Sequence, residues 1–313
     1  MATTTAPLLK KSPFMKRLIK ERELLLMSVP ILLYKILFAY GPIPGLLMAF
    51  QDFKPKLGIF GSEWVGFKHF AFLFTNARFL RDIRNTLAMS VLQLVSGYVC
   101  AIILALLLNE VKNVPFKRVI QNISYLPHFL SWIIVAGIVS QALSTENGFI
   151  NELLMFLGLI KEPALFLGNP DAFWGIVVGA SLWKELGWNT IIYLAAMTAI
   201  DTTQYEAAEI DGANRYQKMW HITLPGIKST VVILLIMSVG HILEAGFEIQ
   251  YFLGNGLVIE KSEIIDIFVL RYGLQMNNFS LATAAGLFKT VVSIVLIAGT
   301  NYLAGKLGEE KLI

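Results

Sequence analysis

The chain has 313 residues, of which 56% are hydrophobic and only 15% are charged. Ordinary soluble domains contain about 45–50% apolar and about 25% charged residues, so this chain has too little charge to cover a soluble surface. The composition excludes a water-soluble enzyme as the default and indicates a polytopic membrane protein. The net charge of +4 is only weak evidence for nucleic-acid binding, because the Lys and Arg residues are distributed according to the predicted side of the membrane.

Six apolar stretches have about the length that crosses a bilayer as a helix. They cover residues 24–50, with GPIPG at 41–45, then 86–108, 119–143, 173–200, 230–253 and 281–303. A helix satisfies its own backbone groups inside a bilayer, so we predict an all-α bundle of six transmembrane helices. We expect a cytoplasmic segment over residues 1–23 and a single transmembrane domain over residues 24–313. Outer loops of moderate length are expected at 51–85, 144–172 and 254–280.

The distribution of Lys and Arg predicts that both termini are cytoplasmic. With the N-terminus inside, the cytoplasmic segments carry 14 Lys and Arg and the outer loops carry 9. Such an excess is typical of the cytoplasmic side, and an even number of spans places both termini there. The first apolar stretch is too long for a signal peptide and lacks its cleavage site, so we expect it to remain as an anchor.

The charged segment at about 201–229, between the fourth and fifth predicted spans, is the most informative part of the sequence. From Tyr205 to Gly226 it reads YEAAEIDGANRYQKMWHITLPG. Residues 206–210 and 216–223 favour helix, Gly212 permits a sharp turn at positive φ, and Pro225 is expected to end the second helix. The pattern predicts a small, rigid helical hairpin on the cytoplasmic face.

The spacing within this segment resembles the EAA loop of permease subunits of ATP-binding-cassette importers. In that loop an E-A-A triplet precedes a glycine turn, and an I-x-L-P stretch follows it. The resemblance implies that the loop couples the membrane domain to an ATPase through Glu206, Ala207, Ala208, Asp211, Gly212, Ile222, Leu224 and Pro225. The alternative is an ordinary cytoplasmic helical hairpin that serves only as a connector.

Other segments resemble the sugar-permease branch, especially its LplB-like polysaccharide and oligosaccharide group and the alginate importer permeases. They are WVGFKHF at 64–70, ISYLPH at 123–128, LWKELGW at 182–188, GLFK at 286–289 and GEEKL at 308–312. The resemblance implies a type I importer in the bacterial plasma membrane, with a second permease, two ATP-binding subunits, an extracytoplasmic solute-binding protein and a sugar substrate. It also implies a heterodimer of permeases, which no sequence feature distinguishes from a homodimer. A peptide or another non-sugar solute is the alternative within this class.

The sequence contains no recognisable catalytic or metal-binding pattern. The nearest approach to a phosphate-binding loop, from Gly299 to Leu307, has five residues between its glycines and Leu in place of Ser or Thr. Cys100 lies in an apolar run, and the four histidines lack metal-ligand spacing. We therefore predict no catalytic residue, metal or cofactor in this chain, with ATP and Mg bound by partner subunits. The docking loop argues against a secondary transporter or channel, and the missing catalytic sets argue against a membrane-embedded enzyme.

Polar side chains inside the predicted spans are the candidates for the substrate path, because charge at membrane depth is costly. The candidates are Trp183, Lys184, Glu185, Trp188, Asn189, His241, Glu244, Glu248 and Lys289. His241, Glu244 and Glu248 have i, i+3, i+7 spacing, which predicts one helical face. In one hypothesis these groups bind sugar rings, hydroxyls or carboxylates. In the other, Lys184 or Lys289 only neutralises Glu185 or Glu244, and the residues alone leave neutral and uronate substrates open.

Overall fold

The structure is a computed structural model that describes residues 20–306. Most of the predicted N-terminal segment 1–23, with its basic residues, and the GEEKL stretch at 308–312 lie outside the described residues. The strands in the described part are one short antiparallel pair, β1 (Gln51–Asp52) and β2 (Glu63–Trp64), with Gln51 opposite Trp64. The prediction of an all-α chain is confirmed.

The α-helices of the described chain are numbered here in chain order. They are α1 (Arg22–Lys35), α2 (Gly58–Gly61), α3 (Lys68–Thr75), α4 (Ala77–Glu110), α5 (Val114–Tyr125), α6 (Trp132–Ala142), α7 (Phe149–Phe156), α8 (Pro170–Thr198), α9 (Thr202–Ile210), α10 (Arg215–Lys218), α11 (Leu224–Gly226), α12 (Lys228–Gly240), α13 (Phe247–Leu253), α14 (Ile259–Ser262), α15 (Ile265–Leu270) and α16 (Phe279–Lys306). Wider π-helical turns cover Ile36–Tyr40, Met219–Thr223 and Arg271–Gln275, and 3-10 turns cover Ile43–Phe50, Leu126–Phe129, Phe166–Gly168 and Ile242–Glu244.

Helical segments occupy all six places where the sequence predicts a membrane span. Within residues 20–306, three helices are long and apolar enough to cross a membrane: Arg22–Phe50, Ala77–Glu110 and Phe279–Lys306. Counting each of two bent helix pairs as one span raises that number to five. The sixth place is α8, whose 29 residues are about 43 Å long but include the charged pair Lys184 and Glu185.

Two of the predicted continuous spans are broken, which corrects the sequence prediction. In the third, the extended residues Leu130 and Ser131 separate the segments Val114–Phe129 and Trp132–Ala142, which meet at 105°. In the fifth, α12 ends at Gly240, and Ala245 and Gly246 adopt left-handed conformations with φ of 49° and 66° before α13 begins. Buried Pro127, which removes a helical hydrogen bond, lies in the 3-10 turn just before the first break. Extended and left-handed residues cannot continue a right-handed helix, so neither stretch is one helix.

Helices α4 and α8 pack along each other and form the centre of the bundle. Asn76 caps α4 by accepting hydrogen bonds from the backbone N–H groups of Arg78 and Phe79, and Asn169 caps α8 through Asp171 N–H. At Gly187 of α8 a Cβ atom would lie 2.2 Å from the carbonyl carbon of Ser124, so glycine allows α5 to approach closely. The close approach at Gly187 therefore holds α8 against the bent element beside it.

The segment 254–280, which the sequence predicts as a loop, contains helices that are folded into the bundle. Its residues Ile264, Ile265 and Phe268 are fully or almost fully buried. Glu263, whose side chain is also buried, forms ion pairs with Arg78 and Arg81 of α4 and with Arg271. These contacts hold the N-terminal end of α4 against α15, and none of the three pairings could be read from local sequence spacing.

Candidate functional site

The segment after α8 forms the predicted hairpin. Asp201 caps α9 by accepting the Thr203 N–H at 3.0 Å, and this hydrogen bond lowers the pKa of the Asp201 carboxyl group. Gly212 then turns the chain at φ +77°, which confirms the expected positive φ. Asn214 and Gln217 cap the start of α10 reciprocally, each side chain bonding the other residue's backbone N–H.

Side-chain contacts fix the two arms of the hairpin to each other. Glu209 Oε1 on the first arm accepts a hydrogen bond from Lys218 Nζ on the second at 2.6 Å, which lowers the pKa of the Glu209 carboxyl group. Tyr205 Oη lies 3.0 Å from Thr223 Oγ1. At the base, Ile227 is fully buried in a cluster with residues of α4 and α8, against which Leu224 and Ile200 pack. The hairpin is therefore a braced extension of the central helices.

The residues assigned to coupling lie on this hairpin. Glu206 and Ala207 are exposed on α9, and exposed Asp211 precedes the Gly212 turn. Ala208 and Ile222 line a shallow pocket of about 270 Å³ between the two arms. Leu224 is partly buried and Pro225 is exposed. The prediction that Pro225 ends the second helix is wrong: it lies in the first turn of α11, where its missing N–H is tolerated, and the break follows at Ile227.

The tip of the hairpin also exposes large apolar side chains that sequence reasoning missed. Ile210 is 88% exposed, Tyr216 74% and Trp220 69%. Apolar groups on a rigid support are typical of a protein docking surface, because their burial against a partner removes them from water. Their position inside the charged segment was visible in the sequence, but their outward direction depends on how the two arms pack.

A charged cluster lies where α8 meets the 3-10 turn Leu126–Phe129. The Lys184 side chain is 6% exposed, and its Nζ donates to the His128 carbonyl oxygen at 2.6 Å and lies 3.1 Å from Glu185 Oε1. Glu185 Oε2 lies 2.6 Å from His128 Nδ1. The His128 ring stacks on Trp188 with centroids 4.4 Å apart. Lys184 and Glu185 thus form an ion pair, as expected under the hypothesis that Lys184 only neutralises Glu185. His128 is a third partner of this pair.

Two cavities with mixed polar and apolar lining lie beside the central helices, and Glu185 of the charged cluster lines one of them. The first, of about 350 Å³, is bounded by α4, α8 and the break after α12, and its lining includes Tyr98, Ser238, His241 and Glu244. The second, of about 190 Å³, is lined in part by Trp132, Ser181 and Glu185. Gln93, Gly97, Asn189 and Gly246 line both cavities, which are therefore contiguous.

The cavities divide the predicted path residues into two sets. Glu185, Asn189, His241 and Glu244 line them, whereas the other candidates do not: Trp183, Lys184, Trp188, Glu248 and Lys289. On α8 the lining positions 182, 185, 189 and 193 recur every three to four residues, so one face of the helix borders the cavities. Trp183 and Trp188 are partly exposed at other positions of the same helix.

The expected single helical face of His241, Glu244 and Glu248 is wrong. The left-handed residues Ala245 and Gly246 separate Glu248 from the other two, while His241 Nδ1 and Glu244 Oε1 lie 2.9 Å apart. Lys289 neutralises neither Glu185 nor Glu244: its Nζ contacts both carboxylate oxygens of Asp266 on α15, at 2.7 and 2.8 Å. Both differences arise from long-range packing that periodicity does not encode.

Several lining residues were not singled out from the sequence. Gln93 and Tyr98 lie on α4, Trp132 begins α6, and Ser238 accepts or donates a 2.9 Å hydrogen bond to Tyr98 Oη. An amide inside an apolar span is a usable signal, because polar groups at membrane depth are unfavourable unless they have a role. Trp132 and Ser238 carry no such signal, because their side chains are common in membrane helices.

A membrane helix bundle with cavities beside its central helices and a braced hairpin at one end is the architecture expected of a transport protein of the permease class. Comparison with known proteins shows which family. The sequence model described as "Binding-protein-dependent transport system inner membrane component" matches residues 97–308, and the chain belongs to this family. Its members are membrane-embedded permease subunits of ATP-binding-cassette importers and are not themselves the ATPase.

Individual relatives match over nearly the whole chain. The polygalacturonan/rhamnogalacturonan transport system permease protein YteP of Bacillus subtilis is 46% identical, with 96% of this chain and 93% of YteP covered. Protein LplB of the same organism is 45% identical, with the same coverage of both chains. A crystal structure of a bacterial transporter that imports the acidic polysaccharide alginate matches with a TM-score of 0.86 and 39% identity, over 93% of this chain and 98% of that one. The resemblance to LplB-like and alginate permeases, and the type I importer fold, are confirmed.

Proposed function

We propose that this permease carries oligosaccharides or polysaccharide fragments across a bacterial plasma membrane, driven by ATP hydrolysis on partner subunits. The named relatives support a saccharide as the substrate class, since YteP and the alginate transporter are described by polysaccharides. In this proposal two ATP-binding subunits bind ATP and Mg, a second permease completes a heterodimer, and a solute-binding protein delivers the sugar from outside. The family description, binding-protein-dependent transport, supports the last of these.

The observation that carries the mechanism is that one helix serves both sites. Asn189 of α8 lines both cavities and lies about 14 Å along the helix from Thr198, its last residue. The hairpin begins three residues later at Asp201 and is packed on the same helix. A movement of the hairpin is transmitted by α8 to the cavity wall as a rigid-body displacement, which is the form of change that alternating access requires.

In this proposal residues 24–313 form one transmembrane domain, both termini are cytoplasmic, and residues 201–229 dock on the ATPase through Glu206, Ala207, Ala208, Asp211, Gly212, Ile222, Leu224 and Pro225. The excess of Lys and Arg on the hairpin side supports this orientation. Glu185, Asn189, His241 and Glu244 contribute to the path, because they line the cavities.

Reconstitution tests the proposal directly. The permease is co-expressed with candidate ATP-binding and permease subunits from the same genome, purified and placed in liposomes with a candidate solute-binding protein. Saccharide uptake is expected with ATP and not with a non-hydrolysable analogue. Uptake that does not need ATP would contradict the proposal in favour of a secondary transporter. Copurification that yields one permease species and no second would contradict the heterodimer alone.

A further inference from the structure

The two cavities meet at a junction formed by four residues from three elements. Gln93 and Gly97 lie on α4, Asn189 lies on α8, and Gly246 lies in the break after α12, and all four line both cavities. Gln93 and Gly97 are four residues apart, so they share one face of α4. A solute that occupies both cavities therefore contacts the junction.

The two amide side chains of the junction have hydrogen-bonding groups to spare. The Asn189 side chain is half-buried and makes no hydrogen bond to any residue of the described part of the chain. Gln93 Nε2 donates one hydrogen bond, to Ser181 Oγ at 3.2 Å, which leaves its second N–H and its carbonyl oxygen. Amides within a membrane span are unfavourable without partners, so both groups suit a ligand that has donors and acceptors.

Gly97 keeps space open at the junction. A Cβ atom at Gly97 would have no atom within 4 Å, so helix packing does not require glycine at this position. Gly187 is the opposite case, because there a Cβ would lie 2.2 Å from the carbonyl carbon of Ser124. Glycine also lowers helix propensity. The missing side chain at position 97 therefore serves the cavities and not the contact between helices.

The Gln93 side chain is held in place by the elements that surround the junction. Its amide bonds Ser181 of α8, and a Cβ at Gly246 would lie 2.8 Å from Gln93 Nε2, so the amide lies directly against the backbone of the break. One turn earlier on α4, Ser90 Oγ donates to the carbonyl oxygen of Ile242 in the same break. A binding group that is already held in one position loses little freedom when a ligand binds.

We propose that the junction is a subsite for one sugar unit, that the amides of Gln93 and Asn189 bind its hydroxyl groups, and that Gly97 sets the size of the unit admitted. The inference rests on the proposed function as a saccharide permease. Each amide offers a donor and an acceptor, as each sugar hydroxyl does. Trp132 in the second cavity adds an aromatic surface for the apolar face of a sugar ring. The subsite recognises hydroxyl groups and ring size, which neutral and acidic sugars share.

A cysteine at position 97 tests whether a sugar occupies the junction. Cys100 is the only cysteine of the chain, so Cys100→Ser combined with Gly97→Cys leaves a single thiol. The permease is purified in detergent with its co-expressed subunits and labelled with a maleimide fluorophore, with and without trimers of galactose or of galacturonate. At least one trimer is expected to slow labelling severalfold. Labelling that neither trimer slows, or a thiol that the reagent does not reach, would overturn the proposal.

Gly179→Cys in the same background is the matched control. Gly179 also has no atom within 4 Å of a Cβ, and it is exposed on α8 and lines neither cavity. Its labelling is expected to be the same with and without the trimers, and equal protection of both thiols would count against a subsite at the junction. Asn189→Ala, added to Gly97→Cys, is expected to remove most of the protection.

A size series at position 97 tests the effect on transport. ATP-driven uptake of the trimers is expected to fall from Gly97→Ala to Gly97→Val and to be lost in Gly97→Leu, while Gly179→Leu retains it. Insertion and the midpoint of thermal unfolding are measured for each variant, so that a folding defect is recognised. Normal uptake by Gly97→Leu would overturn the inference and leave the proposed function intact. Uptake by the unsubstituted permease that does not need ATP would instead contradict the proposed function.

Discussion

Glu209 Oε1 and Lys218 Nζ lie 2.6 Å apart and join the two arms of the hairpin across the Gly212 turn. The pair is at the surface, and an exposed pair adds little stability by itself. The main effect of the pair is geometric, because it restricts the angle between α9 and the following helix. A hairpin that transmits force needs that restriction, so the turn and the pair can be tested separately.

Substitution of Gly212 tests the stiffness of the turn. Gly212→Asp places a side chain at φ +77°, where an L-residue costs about 1–2 kcal/mol and changes the direction of the second arm. We expect the protein to insert normally while uptake and ATPase stimulation fall together. Both are measured in proteoliposomes with equal amounts of permease.

Gly158→Asp is the matched control for this change. Gly158 has φ +68° after α7, and neither glycine has a neighbouring atom within 4 Å of a Cβ, so both substitutions perturb only the backbone. Wild-type coupling is expected for Gly158→Asp. If Gly212→Asp also transported normally, the hairpin would be only a connector.

Charge reversal at Glu206 tests contact with the ATPase. Glu206 is exposed on α9, where its carboxylate can accept a hydrogen bond from a basic residue of the partner, a contact typically worth about 1.5–3 kcal/mol. Glu206→Lys is expected to weaken association of the ATPase subunits, measured by their retention during affinity purification of the permease. A reversed charge on the partner should restore part of it.

The outer-loop substitution Glu162→Lys provides the control for Glu206→Lys, because it makes the same charge change at an exposed residue far along the chain from the hairpin. It is expected to leave ATPase retention unchanged. Equal retention by all three proteins would show that Glu206 makes no contact with the ATPase.

The Glu209–Lys218 pair predicts a pH dependence confined to the hairpin. Lys218 holds the pKa of Glu209 below its usual value of 4.5, so the stabilisation is present above pH 4.5 and is lost as pH falls through the lowered pKa. Amide protection of residues 205–218, corrected for intrinsic exchange rates, should decrease in that acidic range. Glu209→Gln should make this decrease smaller, because only the Asp201 cap of α9, whose carboxyl pKa is also lowered, then titrates there. A decrease of the same size in the variant would exclude Glu209 as a cause.

The close contact between α8 and α5 predicts a destabilising effect of a single methyl group. In Gly187→Ala the new Cβ would lie 2.2 Å from the carbonyl carbon and oxygen of Ser124 and 2.4 Å from the Tyr125 nitrogen. The backbone must shift, and such overpacking costs about 1–3 kcal/mol. We expect a lower midpoint of thermal unfolding in detergent.

Gly179→Ala in the same helix is the control for Gly187→Ala. No atom lies within 4 Å of a Cβ at Gly179, so alanine adds helix propensity without a clash. Its unfolding midpoint is expected to stay the same or rise. Similar decreases for both variants would show that the effect is a general response of α8 to lost glycine flexibility.

The sequence by itself determined the class of the protein and the positions of its helices. Apolar length and a shortage of charge are properties of the composition, and a bilayer leaves a chain of this kind few folds other than a helix bundle. The hairpin was equally predictable, because helix formers, a glycine turn and capping residues such as Asn214 act over a few neighbouring residues. Positive φ at Gly212 followed from the same local chemistry.

Only the tertiary structure decided where the spans break and which charges meet. Each of the two broken stretches has about the length and apolar content of one span, and the polar residues near Leu130 and near Ala245 do not by themselves distinguish a break from a polar site within a continuous helix. From the sequence, Lys289 was considered as a partner of Glu185 or Glu244. The packing of α15 against α16 places it beside Asp266 instead. The cavities exist because the break after α12 places His241 and Glu244 beside α4 and α8. Charges and breaks of this kind depend on distances between residues far apart in the chain, and local periodicity carries no information about those distances.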